Sequence, residues 1–213
     1  MTPAFSAILS DLDGVLVDSG DSIEITWGRW ARSHGLDPAV LEGRIHGRPS
    51  GDVIREVAPH LDLAAETAVI AQMDIDGPPA RLLPGAAELL LGAAGLPLAI
   101  VTSCPDALAR ERLRHAELPT PPVLVTADRV SAGKPDPECY RLAATELGVD
   151  PGDCVVFEDA PAGIAAARAA GATVIAIATT HDRAELQEAD TIVGSVAEGL
   201  ALIAAGYSPS SDR

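Results

Sequence analysis

The stretch Asp11-Leu12-Asp13-Gly14-Val15-Leu16-Val17-Asp18 decides the fold of this chain. It directly follows Phe5–Leu9, a short apolar run that predicts a buried strand. Two close carboxylates at the end of a buried strand are costly unless a cation or a proton compensates their charge. An open parallel sheet also places its ligand crevice at the carboxyl ends of its strands. Alone, Asp-x-Asp-Gly is more often an ordinary turn, so the rest of the chain must decide between a turn and a site.

Short apolar strands alternate with Ala-rich helical stretches, which is typical of a parallel sheet covered on both faces. The predicted strands are Phe5–Leu9, Leu98–Val101, Val123–Thr126, Cys154–Phe157, Val174–Ile177 and Thr191–Val193. The predicted helices between them are Pro84–Ala94, Asp106–Ala116, Pro137–Leu147, Ala160–Ala170 and Asp182–Glu188. We therefore predict an α/β fold with a Rossmann-like, doubly wound parallel sheet at its core.

One long insertion interrupts this alternation. Residues 19–81 contain no convincing strand, and their amphipathic pattern predicts the helices Ile23–Ser33, Pro38–Ile45, Gly51–Ala58 and Ala64–Gln72. We expect a small all-helical cap domain, inserted after the first strand and covering its carboxyl end. The core would then comprise residues 1–18 and 82–206, and the polar residues 207–213 would form a frayed tail.

The charge balance excludes several classes of partner. Asp and Glu number 31 against 15 Lys and Arg, a formal net charge of −16, which argues against nucleic acid or an anionic membrane surface. Leu89–Val101, the longest apolar stretch, is interrupted by Gly and Pro and is too short to span a bilayer. We expect no signal peptide, because the first nine residues lead into the predicted first strand, and the three cysteines lack metal-ligand spacing. We expect a cytoplasmic monomer with reduced thiols.

Polar side chains follow four of the predicted strands, and a parallel sheet brings those strand ends to one edge. They are the Asp11/Asp13 pair, Thr102-Ser103, Lys134 within Gly133-Lys134-Pro135, and Glu158-Asp159. Taken singly, Thr102 could cap a helix, Lys134 could lie in a solvated turn, and Glu158-Asp159 could be a surface pair. Their joint occurrence favours one site. Lys134, the only lysine among 15 basic residues, strengthens that interpretation.

This order of motifs resembles the haloacid dehalogenase superfamily of phosphotransferases. The matches are Asp11-Leu-Asp13-Gly14-Val15, Thr102, Lys134 and Glu158-Asp159, in the family's order, and they span essentially the whole chain. Further matches at Gly47–Asp52, Gly133–Glu138 and Thr179–Asp182 resemble the sugar-phosphatase and β-phosphoglucomutase-like branch. The family's dehalogenases lack the second Asp of the pair, so Asp13 favours phosphate chemistry.

The resemblance implies a role for each motif. Asp11 would attack phosphorus and form an aspartyl phosphate, and Asp13 would protonate the leaving oxygen and later activate water. Mg²⁺ would be held by Asp11, the backbone carbonyl of Asp13 and Asp159, with Glu158 as a possible further ligand. Thr102, Ser103 and Lys134 would hold phosphoryl oxygens, together with backbone amides around Leu12 and Gly14.

Residues of the cap would select the substrate. Arg48 is the best candidate for contacting the distal part of the substrate, although it could equally be a surface Arg near the start of a helix. His46 and Arg44 are weaker candidates. Trp27 is expected to pack in the cap core or to face the sugar.

The sequence predicts a Mg²⁺-dependent phosphatase that hydrolyses a small phosphorylated metabolite, most plausibly a sugar or polyol phosphate. The first alternative is a β-phosphoglucomutase-like mutase. That pattern has a cap His where this chain has Ile23, a further cap Lys, and Lys-Asn where this chain has Pro105-Asp106. The second alternative is a non-catalytic phosphometabolite-binding module, which the complete set of site residues argues against.

Overall fold

The structure is a computed structural model that describes residues 4–46, 48–92 and 94–208. The strands are β1 (Ala7–Ser10), β2 (Val17–Asp18), β3 (Arg81–Leu82), β4 (Leu98–Val101), β5 (Val123–Val125), β6 (Cys154–Glu158), β7 (Thr173–Ile177) and β8 (Thr191–Val193). The α-helices are α1 (Gly20–Ser33), α2 (Ser50–Val57), α3 (Leu63–Ile75), α4 (Ala86–Leu90), α5 (Asp106–His115), α6 (Glu138–Leu147), α7 (Pro161–Ala170) and α8 (Val196–Ala204).

Six strands form one parallel sheet in the order β5-β4-β1-β6-β7-β8. Numbered by their order within this sheet, the strands run 3-2-1-4-5-6, the order of a doubly wound Rossmann-like sheet. The predicted fold class is therefore confirmed. The strand order reverses between β1 and β6, and this is the position where such sheets bind their ligands.

Alternating side chains of each strand supply two apolar cores, one on each face of the sheet. In β1, Ile8 packs on the face that carries residues of α5 and α8, whereas Ala7 and Leu9 pack on the face that carries residues of α6 and α7. Because both faces are covered, the strands are almost continuously apolar, and this is why short runs of Val, Ile, Leu and Ala predicted them.

The helices α1, α2 and α3 form a separate apolar cluster around Trp30, Leu41, Ile54 and Ile70. The chain enters this insertion through β2 and leaves it through β3, and these two short strands pair antiparallel. The sequence pattern did not predict that pair, since two-residue strands carry almost no periodicity. The second predicted insertion helix, Pro38–Ile45, is only a 3₁₀ turn over Pro38–Leu41.

Three further differences concern the helices of the core. Asp182–Glu188, predicted as a helix, contains only turns, and its amide hydrogen bonds are short-range, as from Glu185 N to the Asp182 carbonyl. Helix α4 begins only at Ala86, because Gly85 adopts a left-handed conformation with φ 90°. Helix α8 was not predicted. At the end of the chain, Tyr207 packs against the core, and the predicted frayed residues 209–213 lie outside the described part.

No helix in the described part of the chain is both long and apolar enough to cross a membrane.

Candidate active site

The switch point of the sheet brings together two of the predicted strand ends. Asp11 follows β1, Glu158 ends β6, and the two strands are hydrogen-bonded neighbours. Carboxylate oxygens of Asp11, Glu158 and Asp159 all lie within 4.8 Å of one another, and all three residues are buried. The amide of Asp11 donates to the Phe157 carbonyl at 2.9 Å, which fixes the loop after β1 against β6.

Lys134 lies inside this carboxylate cluster and is almost completely buried. Its Nζ atom is 3.0 Å from Asp11 Oδ2 and 2.6 Å from Glu158 Oε1, and it donates to the Val101 carbonyl at 3.1 Å. Burial opposes the charge of Lys134, but the Asp11 and Glu158 carboxylates outweigh it and raise the pKa of the ammonium above its usual value. Lys134 is therefore a fixed buried cation, and a solvated turn does not describe it.

Glu158 holds Lys134 in place, and each oxygen of its carboxylate accepts two hydrogen bonds. Its Oε1 accepts from Lys134 Nζ and from the Tyr140 hydroxyl at 2.8 Å, while its Oε2 accepts from the amides of Asp159 and Ala160 at 2.9 and 3.1 Å. Gly163 on α7 makes room for this carboxylate, because a Cβ atom there would overlap with it. The geometry favours Glu158 as the partner of Lys134 over the predicted role of direct metal ligand.

Asp159 lies directly beside the loop that carries Asp11. The Thr180 hydroxyl donates to its Oδ2, and the absence of a side chain at Gly14 leaves space for the same oxygen. Gly14 also adopts φ 75°, a left-handed conformation that glycine adopts at little cost. The Asp-x-Asp-Gly turn therefore needs Gly14 for two separate steric reasons.

The carboxylate cluster carries more negative charge than the protein around it compensates. With all four groups ionised, three carboxylates and one ammonium would leave a net charge of −2. Burial raises the pKa of Asp11 to about 8, with Lys134 opposing the rise and Glu158 adding to it. Burial, followed by the charges of Glu158 and Asp11, raises the pKa of Asp159 well above its usual value. A hard divalent cation with oxygen ligands fits this site in charge and in donor chemistry.

The backbone amides of Leu12 and Gly14, predicted to bind phosphoryl oxygens, are already engaged within the loop. Leu12 N donates to Asp11 Oδ1 at 2.7 Å, and Gly14 N donates to the Val17 carbonyl at 2.8 Å. To bind a phosphoryl oxygen as predicted, either amide would have to exchange the acceptor that it has in this structure. Both amides donate to acceptors within the tight turn after β1, because a loop this short must satisfy its own amides.

Thr102 and Ser103 follow β4 and line the same cleft as Asp11. Thr102 is buried, and its hydroxyl accepts from the Cys104 amide at 3.2 Å. Burial, reinforced by the charge of Asp13, raises the pKa of the Cys104 thiol to about 12. Cys104 therefore remains a neutral thiol, as expected, and the other two cysteines are also buried and unbridged.

Asp13 contacts a residue that sequence analysis missed. Arg112 on α5 is buried, and its Nη1 forms an ion pair with Asp13 Oδ2 while its Nη2 pairs with Asp74 Oδ2 on α3. The other oxygen of Asp13 accepts from the Ser19 hydroxyl at 2.6 Å. In the sequence, Arg112 is one of several charged residues of an amphipathic helix, so no local signal distinguishes it. Tyr140 on α6 was also missed, because a single Tyr within a helix carries no local signal of a role in the site.

The insertion closes over these residues and supplies one wall of the cleft. Arg48 lines the cleft, where its Nη2 donates to Glu56 at 3.1 Å, and Gly47 of the same motif lies outside the described residues. Trp27 also lines the cleft, but it is 4% exposed and packs edge-on against Trp30 with ring centroids 5.4 Å apart. His46 is a further lining residue, and burial lowers its pKa. Arg44 pairs with Glu56 at the surface.

A buried aspartate beside a fixed ammonium, at the switch point of a doubly wound sheet and beneath the helices of the insertion, is the site of a capped hydrolase. The chain belongs to the haloacid dehalogenase-like hydrolases, whose family model matches residues 5–171. The resemblance stated from the motifs is thereby confirmed.

The curated relatives are phosphatases. The chain is 43% identical to hexitol phosphatase A of Escherichia coli K12 over 194 residues, which cover 88% of this chain and 90% of that protein. It is 41% identical to validoxylamine A 7'-phosphate phosphatase of Streptomyces hygroscopicus subsp. limoneus, with 91% and 95% covered.

Solved structures show the same architecture. CbbY from Rhodobacter sphaeroides in complex with phosphate has a TM-score of 0.77 at 26% identity, covering 91% of this chain and 96% of that chain. The structure of a putative β-phosphoglucomutase from Thermotoga maritima has a TM-score of 0.68 at 28% identity, with 95% and 100% covered.

Proposed function

We propose that this protein is a Mg²⁺-dependent phosphatase that hydrolyses the phosphomonoester of a sugar or polyol through an aspartyl-phosphate intermediate. The observation that carries the proposal is the Asp11–Lys134 pair, in which a buried carboxylate lies 3.0 Å from a fixed ammonium at the switch point. The phosphatase activity of two relatives more than 40% identical supports the reaction type, and their substrates support a polyhydroxylated leaving group.

The metal would be held by the carboxylates of Asp11 and Asp159 and by the main-chain carbonyl of Asp13. When bound, Mg²⁺ would offset the surplus negative charge and neutralise phosphoryl oxygens. Glu158 would contribute indirectly, because its four hydrogen bonds already use both of its oxygens. Its task in this scheme is to hold the Lys134 ammonium at the phosphoryl position.

The residues of the chain divide the reaction between them. Asp11 attacks phosphorus, while Lys134 and the Thr102 hydroxyl bind the phosphoryl oxygens as charge moves onto them. Asp13 protonates the departing sugar oxygen, and in the second step it takes a proton from the water that hydrolyses the aspartyl phosphate. The insertion excludes bulk water from the cleft, and Arg48 and His46 reach the part of the substrate that does not react.

The first experiment measures phosphate release from a panel of sugar, polyol and nucleotide phosphates, with Mg²⁺ and then with EDTA. The panel includes β-glucose 1-phosphate, with glucose 6-phosphate followed as a product. EDTA-sensitive release from sugar or polyol phosphates supports the proposal. Glucose 6-phosphate formed without free phosphate would make the protein a mutase, and no turnover of any compound would favour the non-catalytic binding module.

A further inference from the structure

Both points where the chain crosses between core and insertion are tied to the Asp13 carboxylate. The entry crossing is tied through Ser19, directly before α1, whose hydroxyl donates to Asp13 Oδ1 at 2.6 Å. The exit crossing is tied through Asp74, close to the end of α3, which reaches Asp13 through the guanidinium of Arg112. Asp13 therefore lies where the two connections of the insertion converge.

The Asp13–Arg112–Asp74 chain is buried at Arg112 and Asp74 and partly exposed at Asp13. Arg112 is 6% exposed and Asp74 is 8% exposed, and the second oxygen of Asp74 accepts from the Ser22 hydroxyl on α1. Arg112 and Asp13 belong to the core, whereas Asp74 and Ser22 belong to the insertion. Separating one buried carboxylate from its guanidinium leaves an uncompensated charge, so a shift of α3 is transmitted to Arg112.

We propose that Arg112 is a positioning residue that couples closure of the insertion to the orientation of Asp13, so that the acid is held in its working geometry only when Asp74 is docked. This inference rests on the proposed function, because it assigns Asp13 the proton transfers of phosphomonoester hydrolysis. Arg112 directs one terminal nitrogen of its planar guanidinium at each carboxylate, Nη1 at Asp13 and Nη2 at Asp74. The ammonium of a lysine cannot reproduce this geometry.

The role predicts a dependence on the leaving group. An alkyl phosphate needs a proton on its departing oxygen, whereas p-nitrophenolate leaves without one because the ring delocalises its charge. Loss of a correctly oriented acid should therefore slow the first step, formation of the aspartyl phosphate, selectively for alkyl phosphates, whereas the second step is the same for both substrates. A general collapse of the site would slow both kinds of substrate to the same extent.

The experiment compares the single-turnover rate of aspartyl-phosphate formation in wild type, Arg112→Met, Arg112→Lys and Asp74→Asn on a polyol phosphate and on p-nitrophenyl phosphate. We expect Arg112→Met to lower that rate for the polyol phosphate about 100-fold and for p-nitrophenyl phosphate less than about 5-fold. Arg112→Lys should fall between wild type and Arg112→Met, and Asp74→Asn should show the same selectivity with a smaller loss. Arg110→Met, on the same helix but exposed and paired only with Asp106, serves as the matched control and should retain wild-type rates.

A second comparison uses Asp13→Asn as the background. If Arg112 acts through Asp13, adding Arg112→Met to Asp13→Asn should cause no further selective loss. Equal losses in the rate of aspartyl-phosphate formation from both substrates would overturn the positioning role. A full additional loss of that rate in the Asp13→Asn background would also overturn it. A wild-type protein that hydrolyses neither substrate would instead overturn the proposed function, and the inference with it.

Discussion

The Nζ atom of Lys134 lies 2.6 Å from Oε1 of Glu158, inside a site where both side chains are at most 2% exposed. This ion pair aims the ammonium at Asp11, because the Tyr140 hydroxyl and two backbone amides hold the Glu158 carboxylate from its other sides. Glu158 and Tyr140 thus set the position of the positive charge of Lys134.

Replacing Lys134 by Arg should inactivate the enzyme although the charge is kept. A planar guanidinium needs more space than the ammonium and cannot contact Asp11, Glu158 and the Val101 carbonyl from one point. We expect kcat to fall about 100-fold or more in steady-state assays. Near-normal turnover in Lys134→Arg would show that this side chain does not bind the phosphoryl group.

Asp11→Asn should abolish turnover, because an amide cannot form the aspartyl phosphate. We expect the rate of phosphate release to fall more than about 1,000-fold. The circular dichroism spectrum should match that of wild type, which shows that the fold is retained. Asp21→Asn is a suitable control, since Asp21 is exposed and pairs only with Arg81 in this structure. Substantial activity in Asp11→Asn would refute the assigned nucleophile.

Gly133→Ala should disturb closure of the insertion rather than the chemistry itself. A Cβ atom at Gly133 would lie 2.5 Å from Pro49 Cγ, so the insertion would have to move away from the loop that carries Lys134. We expect kcat/KM to fall about 10-fold to 100-fold, mainly through KM. Gly28→Ala, within α1 and with its nearest neighbour at 3.5 Å, is the matched control and should have wild-type kinetics. Identical kinetics in the two variants would contradict this closed arrangement.

Stabilisation by Mg²⁺ should grow with pH. Burial raises the pKa of Asp11 from 3.8 to about 8, so the metal-free folded state binds more protons than the unfolded state between about pH 4 and pH 8. This contribution to stability is present below pH 4 and is lost as the pH rises through 8. When bound, Mg²⁺ would replace those protons as the compensating charge, so we expect its binding to be favoured at high pH.

Thermal unfolding with and without saturating Mg²⁺ measures the effect. We expect Tm to rise by about 5 °C or more at pH 8 and by clearly less at pH 5. Asp159→Asn should remove most of the Mg²⁺-induced shift at pH 8. A shift that is independent of pH would mean that the cation does not replace protons on this cluster.

Local patterns predicted most of the fold because each sheet strand is buried on both faces and therefore apolar along its whole length. Leu98–Val101 and Thr191–Val193 have the predicted bounds, and the predicted ends of α6 at Leu147 and of α7 at Ala170 are confirmed. Asp182–Glu188 was wrongly predicted as a helix. Its composition favours a helix, but these residues form the turns that connect β7 to β8.

The sequence by itself determined the doubly wound sheet, the helical insertion and the residue types at the strand ends, because hydrophobic period and turn residues are local properties. Only the tertiary structure decided that Glu158 anchors Lys134, that the amides of Leu12 and Gly14 are consumed by their own turn, and that Arg112 joins Asp13 to Asp74. Those contacts join residues that are distant in sequence or depend on how one short loop closes. Their partners are selected by burial, which makes an unpaired charge or amide too costly to leave unsatisfied.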